Sequence, residues 1–249
     1  SIDAEVEYSK KSERWVFPDY YYRETVEQDG VSVAIVGVDT WLLNAGDTNV
    51  SFDPRKNAGR VRDMERLRHD RDSGAITEGT FVSIARTFAT SEAALVDEEP
   101  ASADSAILRD DEQLAQIEAW LAEAAESATW TIVVGHFPCF SATVGEHGET
   151  ATLIRDLVPL LAQYNVTAYF SGHDHVLQHI QRDGVHYLGS GAGAREHSGM
   201  NDEYEGLVAY TDGRYGFMAH TATNTTFETT FVTSHNGLAE ETYSFTITK

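Results

Sequence analysis

Three histidines sit where apolar runs end. TIVVGHFPCF, from Thr131 to Phe140, sets His136 behind a glycine that closes a β-branched run, and YFSGHDHVLQ, from Tyr169 to Gln178, sets His173 and His175 in the same way. Runs of this kind predict buried strands, so each motif delivers imidazole at a strand's carboxyl end. Imidazole is a common ligand for zinc and a good one for iron, and the small glycine lets backbone pass close to a site. On extended backbone, residues two apart face one side, so His173 and His175 are expected to reach one centre while Asp174 points away. Metal ions that catalyse hydrolysis usually take carboxylates as well. Neither motif offers one on the histidine side.

The elements that position these residues follow from periodicity. VSVAIVGVDTWLL, Val31 to Leu43, reads as a strand covered on both faces. DDEQLAQIEAWLAEAAES, Asp110 to Ser127, has apolar residues three and four apart and acids leading, which predicts an amphipathic helix. The strand TIVVGHFP, the loop SATVGEHGET, a helix over Ala151 to Tyr164 and the strand VTAYFSGHDH then form a βαβ unit, whose carboxyl edge is where ligands collect. Beyond it, short strands joined by Asp-Gly and Asn-Gly turns predict an antiparallel tail. The segment at about 44–104 is charged and rich in turn residues, and reads as an acidic surface insertion in a single domain covering 1–249.

Composition narrows the function classes. At 249 residues with 41% hydrophobic side chains the chain can bury a sizeable core, and no apolar run is long enough to span a bilayer. A formal charge of −22 repels nucleic acid and anionic membrane. The single Cys139 excludes an internal disulfide. Asn49, Asn165 and Asn224 stand in Asn-X-Ser/Thr sequons, expected to carry glycans in a secretory setting, while the opening SIDAEVEYSKKSERW has no signal-peptide pattern.

RWVFPDYYYRE, GVSVAIVGVDT, VVGHFP, GEHGET, LLAQYNVTAYFSGHDHVLQHI and YLGSGAG together resemble the purple acid phosphatases, nearest the small tartrate-resistant type of animals, within the calcineurin-like metallophosphoesterases. The resemblance implies a metallophosphoesterase-like βαββαβ sandwich of two mixed α/β sheets flanked by helices, here with its N-terminal strands missing. It implies hydrolysis of phosphate monoesters at a binuclear metal centre of iron with iron, zinc or manganese. His136 and His173 would hold the divalent, exchangeable ion and His175 the iron. His147 of GEHGET would touch the phosphate or protonate the leaving alkoxide. The family's remaining ligands, two aspartates, a tyrosine and an asparagine, are expected upstream of Ser1, supplied by an N-terminal fragment or a partner chain. Without that tyrosine the chain alone is not expected to be purple. The family, the sequons and the acidic surface together imply a secreted, extracellular or vacuolar glycoprotein.

Substitute carboxylates are few. Asp39 resembles a structural position of the family, Asp174 faces the wrong way, and Glu146 lies in a glycine-rich loop. Cys139 reads as a small buried thiol, Tyr20 to Tyr22 as packing residues on a strand, and GSGAGAR as a tight backbone passage beside the site, not a phosphate loop. The alternative to an enzyme is a phosphatase fold that is catalytically inactive and serves a structural or partner-binding role outside the cell.

Overall fold

Strands Val31–Gly37 (β2), Trp130–Val134 (β3), Ala168–Ser171 (β4) and Val185–Ser190 (β6) run parallel as neighbours. Ala34, Val36, Val133, Ala168 and Leu188 on them are fully buried. In the computed structural model, residues 2–11, 17–43, 111–144 and 148–249 are described. The chain divides into two compact units, Ser1–Thr40 with Leu114–Lys249, and Trp41–Gln113. The acidic segment at 44–104 lies outside the described residues, and the sheets belong to the first unit.

Tyr22–Gln28 (β1), Leu177–Arg182 (β5) and Leu207–Tyr210 (β7) complete a seven-stranded mixed sheet in the order β1-β2-β3-β4-β6-β5-β7. Its hairpins turn at Asp29–Gly30 and Asp183–Gly184, and Asn236–Gly237 turns a third hairpin in the second sheet, all with positive φ at both residues. That is the type I′ turn, which matches strand twist and which Asp-Gly and Asn-Gly favour. The Asp212–Gly213 pair does something else: it joins β7 of the large sheet to Gly216–Ala222 (β8) of the small one. With Thr226–His235 (β9) and Leu238–Thr248 (β10), β8 forms a three-stranded sheet, order β10-β9-β8. The α/β class and the two-sheet arrangement are therefore seen. One sheet is mixed, and the smaller is antiparallel throughout because tight hairpin turns connect it.

The two sheets share a core of Ala168, Leu177, Leu188, Ala192, Met218 and Phe231, against which Ile132, Phe170, Tyr243 and Phe245 pack. Trp130 ties them further, its indole N–H donating to the Thr223 carbonyl at 2.6 Å.

Among the described residues the helices are Ile2–Ser9 (α1), Thr40–Leu43 (α2), Asp111–Ser127 (α3), Ala151–Asp156 (α4) and Val158–Gln163 (α5). On α3, Leu114, Ile117, Leu121 and Ala124 form the buried stripe that the sequence spacing predicts. The single helix expected over Ala151 to Tyr164 is instead two, because Pro159 lacks an N–H and clashes with the preceding turn, so the chain restarts at Val158. Of the three tyrosines only Tyr22 is on a strand. Its ring packs edge-on to Phe17 at 5.4 Å and lies over Gly37, while Tyr21 meets Trp120 at 6.0 Å.

Candidate metal centre

Because β2, β3, β4 and β6 are parallel, their carboxyl ends open on one edge. Val38 to Thr40, Gly135–His136, Gly172–His173 and Gly191 to Gly193 leave the sheet there. The first turns are stitched across strands: the Val38 N–H donates to the Val134 carbonyl at 2.9 Å, Gly135 N–H to the Phe170 carbonyl at 2.9 Å, and Gly172 N–H to the His136 carbonyl at 3.0 Å. Thr40 Oγ1 accepts the N–H groups of His136 at 3.0 Å and Phe137 at 3.1 Å. The buried Tyr169 hydroxyl donates to the Phe137 carbonyl at 2.6 Å. Glycine is needed at 135, since a Cβ there would stand 2.4 Å from both Thr40 Cγ2 and the Tyr169 hydroxyl.

This scaffold brings two of the predicted ligands together. His173 Nδ1 lies 3.2 Å from His136 Nε2, with ring centroids 5.1 Å apart. Phe137 supports both rings, at 4.5 Å from His173 and 5.2 Å from His136. Nitrogens bound to one ion at roughly 2.0–2.1 Å stand about 3 to 3.4 Å apart, so the observed separation fits two neighbouring ligands. The donor set fits a metal in part only. Among the described residues, no three or more His, Cys, Asp or Glu side chains are grouped to hold an ion, so His175 is not gathered with this pair.

The reason given by spacing for joining His173 to His175 does not hold. β4 ends at Ser171, and His173 takes a left-handed backbone, φ +41°, so the stretch bends where extended alternation was expected. The His175 carbonyl instead accepts the N–H of His197 at 2.9 Å. His147 and Glu146 lie outside the described residues, as does Asn49. Flanking that loop, Val144 N–H donates to the Gly199 carbonyl at 2.9 Å and the Tyr204 hydroxyl donates to Glu149. Asn165 and Asn224 are exposed, the first in the turn after α5 with φ +49°, the second in the bend between β8 and β9.

Asp174, between the two histidines in sequence, is buried. Its Oδ2 accepts hydrogen bonds from the Ser141 hydroxyl and, at 2.8 Å, from the Thr143 hydroxyl. Gln178 extends the network, donating to Ser141 Oγ at 3.0 Å and accepting the Ala142 N–H at 3.0 Å. These partners were not singled out in the sequence, where isolated Ser, Thr and Gln carry no spacing signal. Gly191 confirms a tight passage, because a Cβ there would sit 2.1 Å from the Asp174 carbonyl. Cys139 is fully buried, and burial pushes its thiol well up, which leaves it neutral and a poor nucleophile.

Residues 86–177 match the family described as Calcineurin-like phosphoesterase. The chain is 36% identical over 197 residues to tartrate-resistant acid phosphatase type 5 of Homo sapiens, covering 78% of this chain and 45% of that protein. It is 41% identical over 95 residues to purple acid phosphatase 7 of Arabidopsis thaliana, covering 37% of this chain and 28% of that one. The chain thus spans under half the length of these relatives. Among solved structures, GAP50, the anchor in the inner membrane complex of Plasmodium, superposes with a TM-score of 0.64 at 18% identity, over 99% of this chain and 61% of its own. At that identity the likeness is one of fold. The resemblance carried by the GHFP and GHDH motifs is shown by the family and sequence matches.

Proposed function

From this likeness to the calcineurin-like phosphoesterases, and to the purple acid phosphatases among them, we propose that the chain takes part in hydrolysing phosphate monoesters. The observation that carries the reading is the pairing of His136 with His173 at 3.2 Å, at the carboxyl ends of the parallel strands of the mixed sheet. His136 and His173 would hold the exchangeable ion and His175 the iron of a centre of iron with iron, zinc or manganese. When bound, that centre would supply Lewis-acid polarisation of the phosphoryl oxygens and activation of water. The chain's own residues would do the rest. Phe137 packs against the ring of His136 while Thr40 holds its backbone N–H, and His147 would give a proton to the leaving alkoxide oxygen. The carboxylates that complete the centre would come from a segment or partner chain beyond the described residues.

A second reading, a non-catalytic phosphatase fold with a partner-binding role, draws on the same census. Among the described residues no group of three ligands is present. Metal content decides between them: chain isolated from its natural source with about two metal ions and p-nitrophenyl phosphatase activity supports the first, and metal-free, inactive material the second. The 249-residue chain alone would hydrolyse that substrate poorly. A secreted or vacuolar glycoprotein is the proposed setting. Among the described residues no helix is long and apolar enough to cross a membrane.

A further inference from the structure

We infer that Asp174 is a positioning residue, whose carboxylate sets the distance between the imidazoles of His136 and His173 by locking two strand-end loops together; this rests on the metal-centre reading for its use, but not for its geometry. The loop after β3 carries His136 and continues through Ser141 to Thr143, and the loop after β4 carries His173 and Asp174. The β3–β4 ladder ends at Val134 and Phe170, and the backbone bonds past it, Gly135 N–H to the Phe170 carbonyl and Gly172 N–H to the His136 carbonyl, tie only the first residues of the two loops. Beyond it the side-chain ties from Asp174 Oδ2 to the Ser141 and Thr143 hydroxyls bridge the two loops, and Gln178 adds a second bridge to Ser141 and Ala142.

The backbone between them needs such a tie. His173 is left-handed at φ +41°, a conformation that persists in a residue with a Cβ only where its surroundings over-determine it. Around it the Asp174 carbonyl accepts the Val176 N–H at 2.8 Å, and Gly191 donates to the Val176 carbonyl at 3.1 Å. The side chain of Asp174 is 1% exposed, and its Oδ1 has no hydrogen-bond partner among the described residues. Burying a carboxylate with one oxygen so placed costs stability. What it contributes is the placement of the loop beside it. In metal sites the groups behind the ligands set ligand orientation, and losing one commonly lowers metal affinity by about 10- to 100-fold.

The test uses NMR of the 249-residue chain without metal, reading the ring-to-ring contact of His136 and His173 and, as a control of fold, that of His179 and Tyr243. Asp174→Ala is expected to abolish the first contact and keep the second. Asp174→Asn, whose amide oxygen still accepts both hydroxyls, restores the first. Should Asp174→Ala unfold the chain, the double variant Ser141→Ala/Thr143→Val decides, since it keeps the carboxylate and removes its partners. Survival of the His136–His173 contact in that double variant or in a folded Asp174→Ala chain overturns the inference, and so does failure of Asp174→Asn to restore it. Zinc titration of the same samples should show affinity at least tenfold weaker in Asp174→Ala than in the parent. A parent chain that keeps the ring contact yet binds no zinc overturns the metal reading and leaves the positioning result standing.

Discussion

His179 donates or accepts through both ring nitrogens between the two sheets: Nε2 meets His186 Nδ1 at 2.8 Å, and Nδ1 meets the Tyr243 hydroxyl at 3.0 Å. Phe245 stacks on its ring at 4.0 Å. The pair couples β5 and β6 of the large sheet to β10 of the small one.

Acid should therefore loosen the fold. Burial, then the neighbouring His186, pushes the His179 imidazole down to about 4, and burial lowers His186 as well. In the unfolded chain an imidazole titrates near 6.5, so between those values the unfolded state binds more protons than the folded one. Stability from His179 is whole above about pH 6.5 and falls as pH drops, by about 2 kcal/mol at pH 5. Urea unfolding at pH 7.5 and pH 5 measures it. His179→Phe should shrink the difference between the two pH values; an unchanged difference would show that the imidazole does not carry it.

Gly135→Ala should destabilise the chain by about 1–3 kcal/mol, the usual cost of forcing a methyl into packed surroundings. The added Cβ meets Thr40 Cγ2 and the Tyr169 hydroxyl at 2.4 Å, and Thr40 is what receives the His136 and Phe137 amides. Denaturant midpoints check the stability. A neutral substitution would mean that this strand end is looser than its contacts imply.

Tyr169→Phe removes the hydroxyl that donates to the Phe137 carbonyl in a fully buried place. Leaving that carbonyl short of a partner should cost about 1–3 kcal/mol. The same urea titration reports it, and no change would assign the carbonyl another donor.

Glycan mapping of natural material should find Asn224 occupied ahead of Asn165. Asn224 sits in an exposed bend between hairpin strands, whereas Asn165 occupies a left-handed turn whose next residue, Val166, is already buried. Occupancy at Asn165 with none at Asn224 would reverse that ranking.

Much of this was legible in residues. The β-branched runs ending in Gly-His announced β3 and β4, and the Asp-Gly and Asn-Gly pairs at 183–184 and 236–237 announced their hairpins, because those turns need the backbone that glycine permits. The Asp29–Gly30 hairpin went unread, since RETVEQ is too polar for a strand pattern and lies at the sheet's edge. Local spacing also misjudged GHDH, where a left-handed residue breaks the alternation. Asp174 with Ser141, Thr143 and Gln178 could not be read at all, because tertiary proximity, not spacing, assembles it.

The measurement that bears most directly on the account is calorimetric titration of the 249-residue chain with zinc at pH 7.5, beside His136→Ala and His173→Ala, with circular dichroism confirming that each remains folded. If the two imidazoles 3.2 Å apart are ligands of one ion, either substitution weakens zinc binding by at least tenfold, and binding of the parent weakens at pH 5 because protons compete for the ring nitrogens. Equal affinity in the parent and both variants would show that His136 and His173 hold no metal, and the proposed centre would have no foundation in this chain.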